Sequence, residues 1–200
     1  MPTLIHLVRH AEVENPDNIW YGRLSGFVLS ERGRRQADEL AKHFASSKIA
    51  AVYSSPLERA IETSSTIARP HALEVIEDMD LIESETRLQG RPGDTRLFRN
   101  PFRALHFINP LKPSWGESYS STGNRMLEAI HRMREKHPGE EIVAVSHMTP
   151  IVVARMRLEN RRGPAWASGL PCARASISTF TFEGDHLLTS DYLDVGTRVE

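Results

Sequence analysis

The chain has 200 residues, 40% of them hydrophobic, enough for one compact domain with a substantial buried core. With 25 basic against 26 acidic residues and a pI near 6.8, the molecule as a whole offers no general attraction for nucleic acid or an anionic membrane, so any grip on an anion has to be local. Cys172 is the one cysteine, which excludes an internal disulfide framework and a thiolate cluster around zinc.

A single domain over residues 1–200 is expected, because no repeat period emerges and no Gly/Ser or single-charge block marks a linker. There is no basic leader and no apolar stretch of about 18 residues or more, so a cytoplasmic location is expected.

In chain order, Thr3 to Val8 is apolar and β-branched apart from His6 and stops at Arg9 and His10, as a buried strand feeding a loop does. Ala37, Leu40, Ala41, Phe44 and Ala45 then repeat at helical spacing, which predicts a helix beginning near Ser30. Ala51 to Tyr53 is a second short strand. Ser55-Pro56-Leu57-Glu58 reads as a capping box with proline in the first helical position, which places Arg59 near a helix start. Leu73 to Ile76 is a third strand candidate, followed by a run of carboxylates.

Met126, Ala129, Ile130 and Met133 line another helix face, closed by Lys136-His137-Pro138-Gly139. Ile142 to Val145 is the next strand, ending at Ser146 and His147, and Thr149-Pro150 is the predicted opening of a further helix. Ser176 to Phe182 and His186 to Tyr192 form a closing strand pair around Glu183-Gly184-Asp185. Strands alternating with helices imply an α/β fold, a three-layer α/β/α sandwich with a mostly parallel central sheet.

Arg9 and His10, Arg59, and His147 each fall just after a separate strand. In open α/β sheets, ligands bind outside the carboxyl ends of the strands, so these side chains are expected to converge. Their chemistry suits a phosphate monoester. Two arginines can fork onto phosphate oxygens without ever losing charge, and a neutral imidazole is nucleophilic near pH 7 with no partner base. The leaving alkoxide needs a proton, for which Asp78, Asp80, Glu83 and Glu85 are all available after the third strand.

Competing chemistries fit less well. His6 and His10, four residues apart along a strand, stand about 13 Å apart, too far to share one metal ion at about 2 Å. Cys172 lacks a following phosphate loop, Asp78-Met79-Asp80 is only a faint aspartyl-phosphate pattern, and there is neither a Gly-Lys phosphate loop nor a Gly-x-Ser-x-Gly elbow. His6 is assigned to the core or to the layer of residues supporting the site, Cys172 is expected to be inert, and Trp115 and Tyr119 are placed at a substrate rim or in packing.

Leu7-Val8-Arg9-His10-Ala11-Glu12 with Asn15 resembles the signature of the histidine phosphatase superfamily, which includes the cofactor-dependent phosphoglycerate mutases. The similarity continues through Leu29-Ser30, Gly33 and Gln36-Ala37, then Ser54-Ser55-Pro56-Leu57-Glu58-Arg59-Ala60, Gly116-Glu117-Ser118 and Val145-Ser146-His147. The stretch from Asn109-Pro110 to Glu117 resembles a bacterial, actinobacterial-type phosphatase subgroup.

The resemblance implies a phosphohistidine at His10, a general acid at Glu83, catalytic support from Arg9, Arg59 and His147, and no metal or other cofactor. It implies phosphate contacts from Arg9, Asn15, Arg59 and His147, with Gly22 and Met148 added to the substrate-binding set. The expected partner is a small phosphorylated metabolite, with no nucleic acid or membrane. The chain departs from the family pattern at Ala11 and Met148, where glycine is usual, and at Leu88-Gln89-Gly90, where Trp-Glu-Gly is common. The leading expectation is a phosphomonoesterase; the alternatives are a mutase that returns the phosphoryl group and an inactive phospholigand-binding domain.

Overall fold

The computed structural model describes residues 1–93, 116–163, 165 and 168–199. The stretch 109–115, with Trp115, lies outside the described residues. Six strands form one sheet in the order β3-β2-β4-β1-β5-β6: β1 (Thr3–Arg9), β2 (Ile49–Ser54), β3 (Val75–Glu77), β4 (Glu141–Ser146), β5 (Ser176–Glu183) and β6 (His186–Asp194). The first four are mutually parallel, and β5 and β6 add antiparallel at one edge as a hairpin whose tight turn holds Gly184 at φ +55°. The sheet is therefore mixed, with a parallel heart.

Strand alternation sends successive side chains to opposite faces, and both faces are covered. Val8 of β1, Val52 of β2, Val143 and Val145 of β4 and Ile177 of β5 pack with Ala37, Leu40 and Phe44 of α1 (Glu31–Phe44) and Ala60 and Ile67 of α2 (Glu58–Ala68). Their neighbours Ile5, Leu7, Ile142, Ala144 and Phe180 face the other way. They pack onto Met126, Ala129, Ile130 and Met133 of α3 (Tyr119–Lys136) and Ile151 and Ala154 of α4 (Met148–Leu158). This is the expected three-layer sandwich. His6 sits on the first of these faces, 7% exposed, held by Thr179 Oγ1 and a Glu141 carboxylate oxygen at 2.9 and 3.0 Å, in keeping with a core role.

Two helix starts differ from the sequence reading. Helix α2 begins at Glu58 with Leu57 in the capping position, so Pro56 precedes the helix and Ser55 is not its N-cap. Helix α4 begins at Met148, capped by His147, which leaves Pro150 in the third helical position instead of the first. Ser55, which looks like a cap, stands at the end of β2 with its side chain turned to His147, and His147 itself takes the capping position of α4. Helix α1 starts as expected, with Ser30 Oγ accepting from Gly33 N at 3.0 Å.

Candidate active site

The carboxyl ends of β1, β2 and β4 are level with one another. Val8 pairs with Val145 and Arg9 with Ser146 across β1 and β4, while Ser54 pairs with Val145 across β2 and β4. The residues that follow therefore emerge side by side, and backbone hydrogen bonds continue one step beyond the strands: His10 N donates to Ser146 O at 3.0 Å and Ser55 N to Val145 O at 2.9 Å. The consequence is that His10, Ser55 and His147 are brought together at the centre of the sheet.

His10 is 1% exposed and its ring centroid lies 5.1 Å from that of His147. Its Nδ1 is 2.7 Å from the carbonyl of Ala11. A carbonyl can only accept, so Nδ1 carries the proton and Nε2 is left with its lone pair. Burial and the positive charges of Arg59 and Arg9 hold the His10 pKa well below 6.5, so the ring is neutral near pH 7. Burial, with His10 and the same arginines, does the same to His147.

Arg59 is fully buried near the start of α2. Its Nη2 donates to Gly22 O at 2.6 Å, and its guanidinium carbon lies 4.8 Å from the centre of the Tyr21 ring, a cation–π contact. Arg9 Nη1 donates to Cys172 O at 2.7 Å. Each arginine is thus anchored by one nitrogen to a backbone carbonyl. Arg59 Nε and Nη1, Arg9 Nε and His147 Nδ1 are buried with no partner among the described residues. Buried polar atoms are nearly always satisfied, so four such atoms on three neighbouring side chains are the donors an acceptor-rich anion would need.

Glu83 follows a short helical turn, Met79–Leu81, after β3. One of its carboxylate oxygens accepts from Ser84 N at 2.8 Å. Loss of hydration pushes the carboxyl above the usual carboxylate range, against the pull of Ser84 N–H, Arg59, Arg9 and Arg125. A raised carboxyl holds a proton to higher pH, as a general acid requires. Asp78 and Asp80, by contrast, are paired with Arg132 at 2.9 and 2.7 Å, away from that role.

The remaining expected residues fall into place unequally. Both functional atoms of the Asn15 amide bond the Ile19 backbone at 3.0 Å, closing the loop that leads to Tyr21. Gly22, in the left-handed region at φ +46°, presents its carbonyl to Arg59, and a Cβ there would meet Gln89 Oε1 at 2.8 Å. Met148 opens α4 directly after His147 and is 44% exposed. Ala11 is fully buried, its φ is not positive, and its N–H donates to Thr63 Oγ1 at 3.2 Å. A methyl at this place is accommodated in the core with His10 in position.

Sequence reasoning missed Ser55, whose Oγ stands 2.7 Å from His147 Nε2, because Ser-Pro-x-Glu is also a helix-cap pattern. It also missed Tyr21 and the Cys172 carbonyl, since nothing in a one-dimensional pattern signals a backbone acceptor. The Cys172 thiol itself is pushed up to about 11 by burial, consistent with the expected inertness. Among the described residues, no cluster of His, Cys, Asp or Glu could hold a metal ion, and no helix is long and apolar enough to cross a membrane.

Residues 5–194 match the model of the histidine phosphatase superfamily, branch 1. The chain belongs to this family. An uncharacterized protein of Mycobacterium tuberculosis is 42% identical over 193 residues, covering 95% of both chains. Phosphoserine phosphatase 1 of Hydrogenobacter thermophilus is 34% identical over 159 residues, covering 72% of this chain and 71% of its own. Among solved structures, the YhfR protein of Bacillus stearothermophilus superposes with a TM-score of 0.82 at 24% identity, over 93% of this chain and 94% of its own, which bears out the α/β fold. The enzyme class expected from the sequence, a histidine-type phosphatase, stands with the family.

Proposed function

We propose that this histidine phosphatase hydrolyses a small phosphate monoester through a phosphohistidine on His10, without a metal ion. The observation that carries the reading is a neutral imidazole, its tautomer set by Ala11 O, beside four buried nitrogens with no acceptor among the described residues. Arg9, Arg59 and His147 take the phosphoryl oxygens, whose charge in the transition state needs fixed donors around it. Asn15 retains an amide proton for a further phosphate oxygen, Gly22 holds Arg59 at its post, and Met148, exposed beside His147, is assigned to the leaving-group side.

In the first step His10 Nε2 forms a bond to phosphorus as the ester P–O bond breaks, and the Glu83 carboxyl gives its proton to the departing oxygen. In the second, Glu83, now a carboxylate, takes a proton from water as the water oxygen attacks phosphorus and the N–P bond breaks. Free phosphate leaves and both residues are restored.

Support for hydrolysis comes from relatives named as phosphatases, including the Hydrogenobacter phosphoserine phosphatase and an Arabidopsis thaliana protein named metal-independent phosphoserine phosphatase, 34% identical over 157 residues. The test is phosphate release from p-nitrophenyl phosphate in EDTA by the wild type and His10→Ala, with a search for acid-labile label on the protein. Turnover and label that both vanish in His10→Ala are expected. Label without phosphate release would point instead to a mutase, and phosphate binding without label to a ligand-binding domain.

A further inference from the structure

The segment that carries Glu83 is held from outside by four side chains. Arg125 Nη1 donates to Asp80 O, Ser146 Oγ to Leu81 O at 2.7 Å and Arg23 Nε to Glu83 O at 2.6 Å, while Ser84 Oγ meets Thr122 Oγ1 at 3.0 Å. Two of these donors are arginines from distant parts of the chain, one on the loop after β1 and one on α3. A single carboxylate joins them. One oxygen of Glu117 accepts from Arg125 Nε at 2.9 Å and Ser121 Oγ at 3.0 Å, and the other from Arg23 Nη2 at 3.0 Å and Arg125 Nη2 at 3.1 Å.

The Glu117 side chain is 12% exposed and that of Arg125 14%, with Arg23 more open at 31%, so the Glu117–Arg125 half of the bridge is largely withdrawn from water, where charge-assisted bonds hold geometry best. Glu117 also grips the segment through its backbone, its N–H donating to Glu85 O at 3.0 Å. Gly116 permits that approach: a Cβ there would come within 1.7 Å of Glu85 O. The carbonyls on both sides of the acid's side chain are thus referenced to one partly buried carboxylate that touches neither His10 nor the phosphate donors.

We propose that Glu117 is a positioning residue for proton transfer, holding Glu83 against the leaving oxygen through Arg23 and Arg125. The proposal rests on the reading of Glu83 as general acid. It assigns Glu117 a role in only one half of the reaction, departure of the leaving group, and none in phosphate binding or in the nucleophilicity of His10.

The experiment compares kcat/KM, which reports steps up to formation of the phosphohistidine, on p-nitrophenyl phosphate and on an alkyl phosphate such as β-glycerophosphate. The phenolate departs without help, whereas the alkoxide must be protonated. Since general acid catalysis is worth about 10²- to 10⁴-fold, a misplaced acid forfeits part of it. Glu117→Ala is expected to lower the alkyl-to-aryl ratio of kcat/KM by about 10- to 100-fold. Arg23→Lys, which keeps the charge opposite Glu117 but has one nitrogen in place of the two that hold Glu117 and the Glu83 carbonyl, is expected to lower the ratio in the same direction. Glu117→Gln, which still accepts hydrogen bonds, should lie between wild type and Glu117→Ala.

Equal losses on both substrates, or no loss on either, would overturn the proposal. Arg23→Lys and Glu117→Gln carry the test should Glu117→Ala fail to fold. Glu83→Gln in the same series separates the two levels of inference. A fall in the ratio for Glu83→Gln but not for the bridge variants refutes the role of Glu117 alone, and an unchanged ratio for Glu83→Gln refutes the acid assignment and the proposal with it.

Discussion

Replacing Ser55 by alanine removes one oxygen from a fully buried position and tests how His147 is oriented. His147 Nε2 lies 2.7 Å from Ser55 Oγ, and its other ring nitrogen is buried with no partner among the described residues. The ring is held neutral, so it has one N–H to place. If Nδ1 is to donate to a phosphoryl oxygen, Nε2 has to be the acceptor, and Ser55 O–H is the donor that makes this tautomer the favoured one.

In Ser55→Ala a buried nitrogen loses its partner, which costs about 1–3 kcal/mol, and the ring is free to turn or to take the other tautomer. At 1.36 kcal/mol per factor of ten, kcat/KM should fall by about 5- to 150-fold. The assay is steady-state hydrolysis of p-nitrophenyl phosphate, with thermal unfolding alongside to show that the variant is folded at the assay temperature. A variant within about twofold of wild type in kcat/KM would refute the claim that Ser55 sets the His147 proton, because the smallest cost in that range already exceeds it.

Other outcomes follow from the same geometry. Arg59→Lys keeps a positive charge but loses the two unpartnered nitrogens, each a charge-assisted donor worth about 1.5–3 kcal/mol, so kcat/KM should fall by at least about tenfold in the same assay. The folded-state pKa values of His10 and His147 are depressed below 6.5, so the unfolded chain binds more protons once the pH drops under that value. The stability these rings contribute is complete above pH 6.5 and is lost as the pH falls towards their folded pKa values. Urea titrations from pH 7 to 5 should show a decline of up to about 1.4 kcal/mol per pH unit per ring, reduced in His10→Asn. A pH-independent midpoint would contradict their neutrality. Proton NMR titration should likewise find both rings neutral well below pH 6.5, so the acid loss of activity expected from a histidine nucleophile begins at lower pH than for an ordinary imidazole. Ala11→Gly, which restores the usual family residue, should give no gain in activity and destabilise the protein by about 0.5–1 kcal/mol, since the backbone there has no need of glycine. Calorimetry checks this, and a stabilised variant would refute it.

Much of the fold was legible because burial imposes a period. Strand runs such as Ile142 to Val145 are apolar on both faces, and Met126, Ala129, Ile130 and Met133 recur at helical spacing, which is the pattern both layers of the sandwich bury. His10, Arg59 and His147 were legible for a related reason: each breaks such a run abruptly, and parallel strands bring their ends together. Where a polar residue had two uses, local chemistry misled. Ser55 and Thr149-Pro150 look like helix caps, yet Ser55 turns to His147 and α4 opens two residues earlier than Thr149-Pro150 suggests.

The sequence by itself therefore determined the layers, the family motif and the candidate nucleophile, because these depend on periodicity and on residue types at strand ends. Tertiary structure alone decided the His10 tautomer, the anchoring of Arg59 on Gly22 and of Arg9 on Cys172, the elevated Glu83 carboxyl and the Arg23–Glu117–Arg125 bridge. Each of these turns on a backbone carbonyl, a loss of hydration or a contact across dozens of residues. None leaves a mark on the local pattern: the His10–Ala11 contact depends on how the folded chain turns the ring, and the others arise only when separate segments meet away from water.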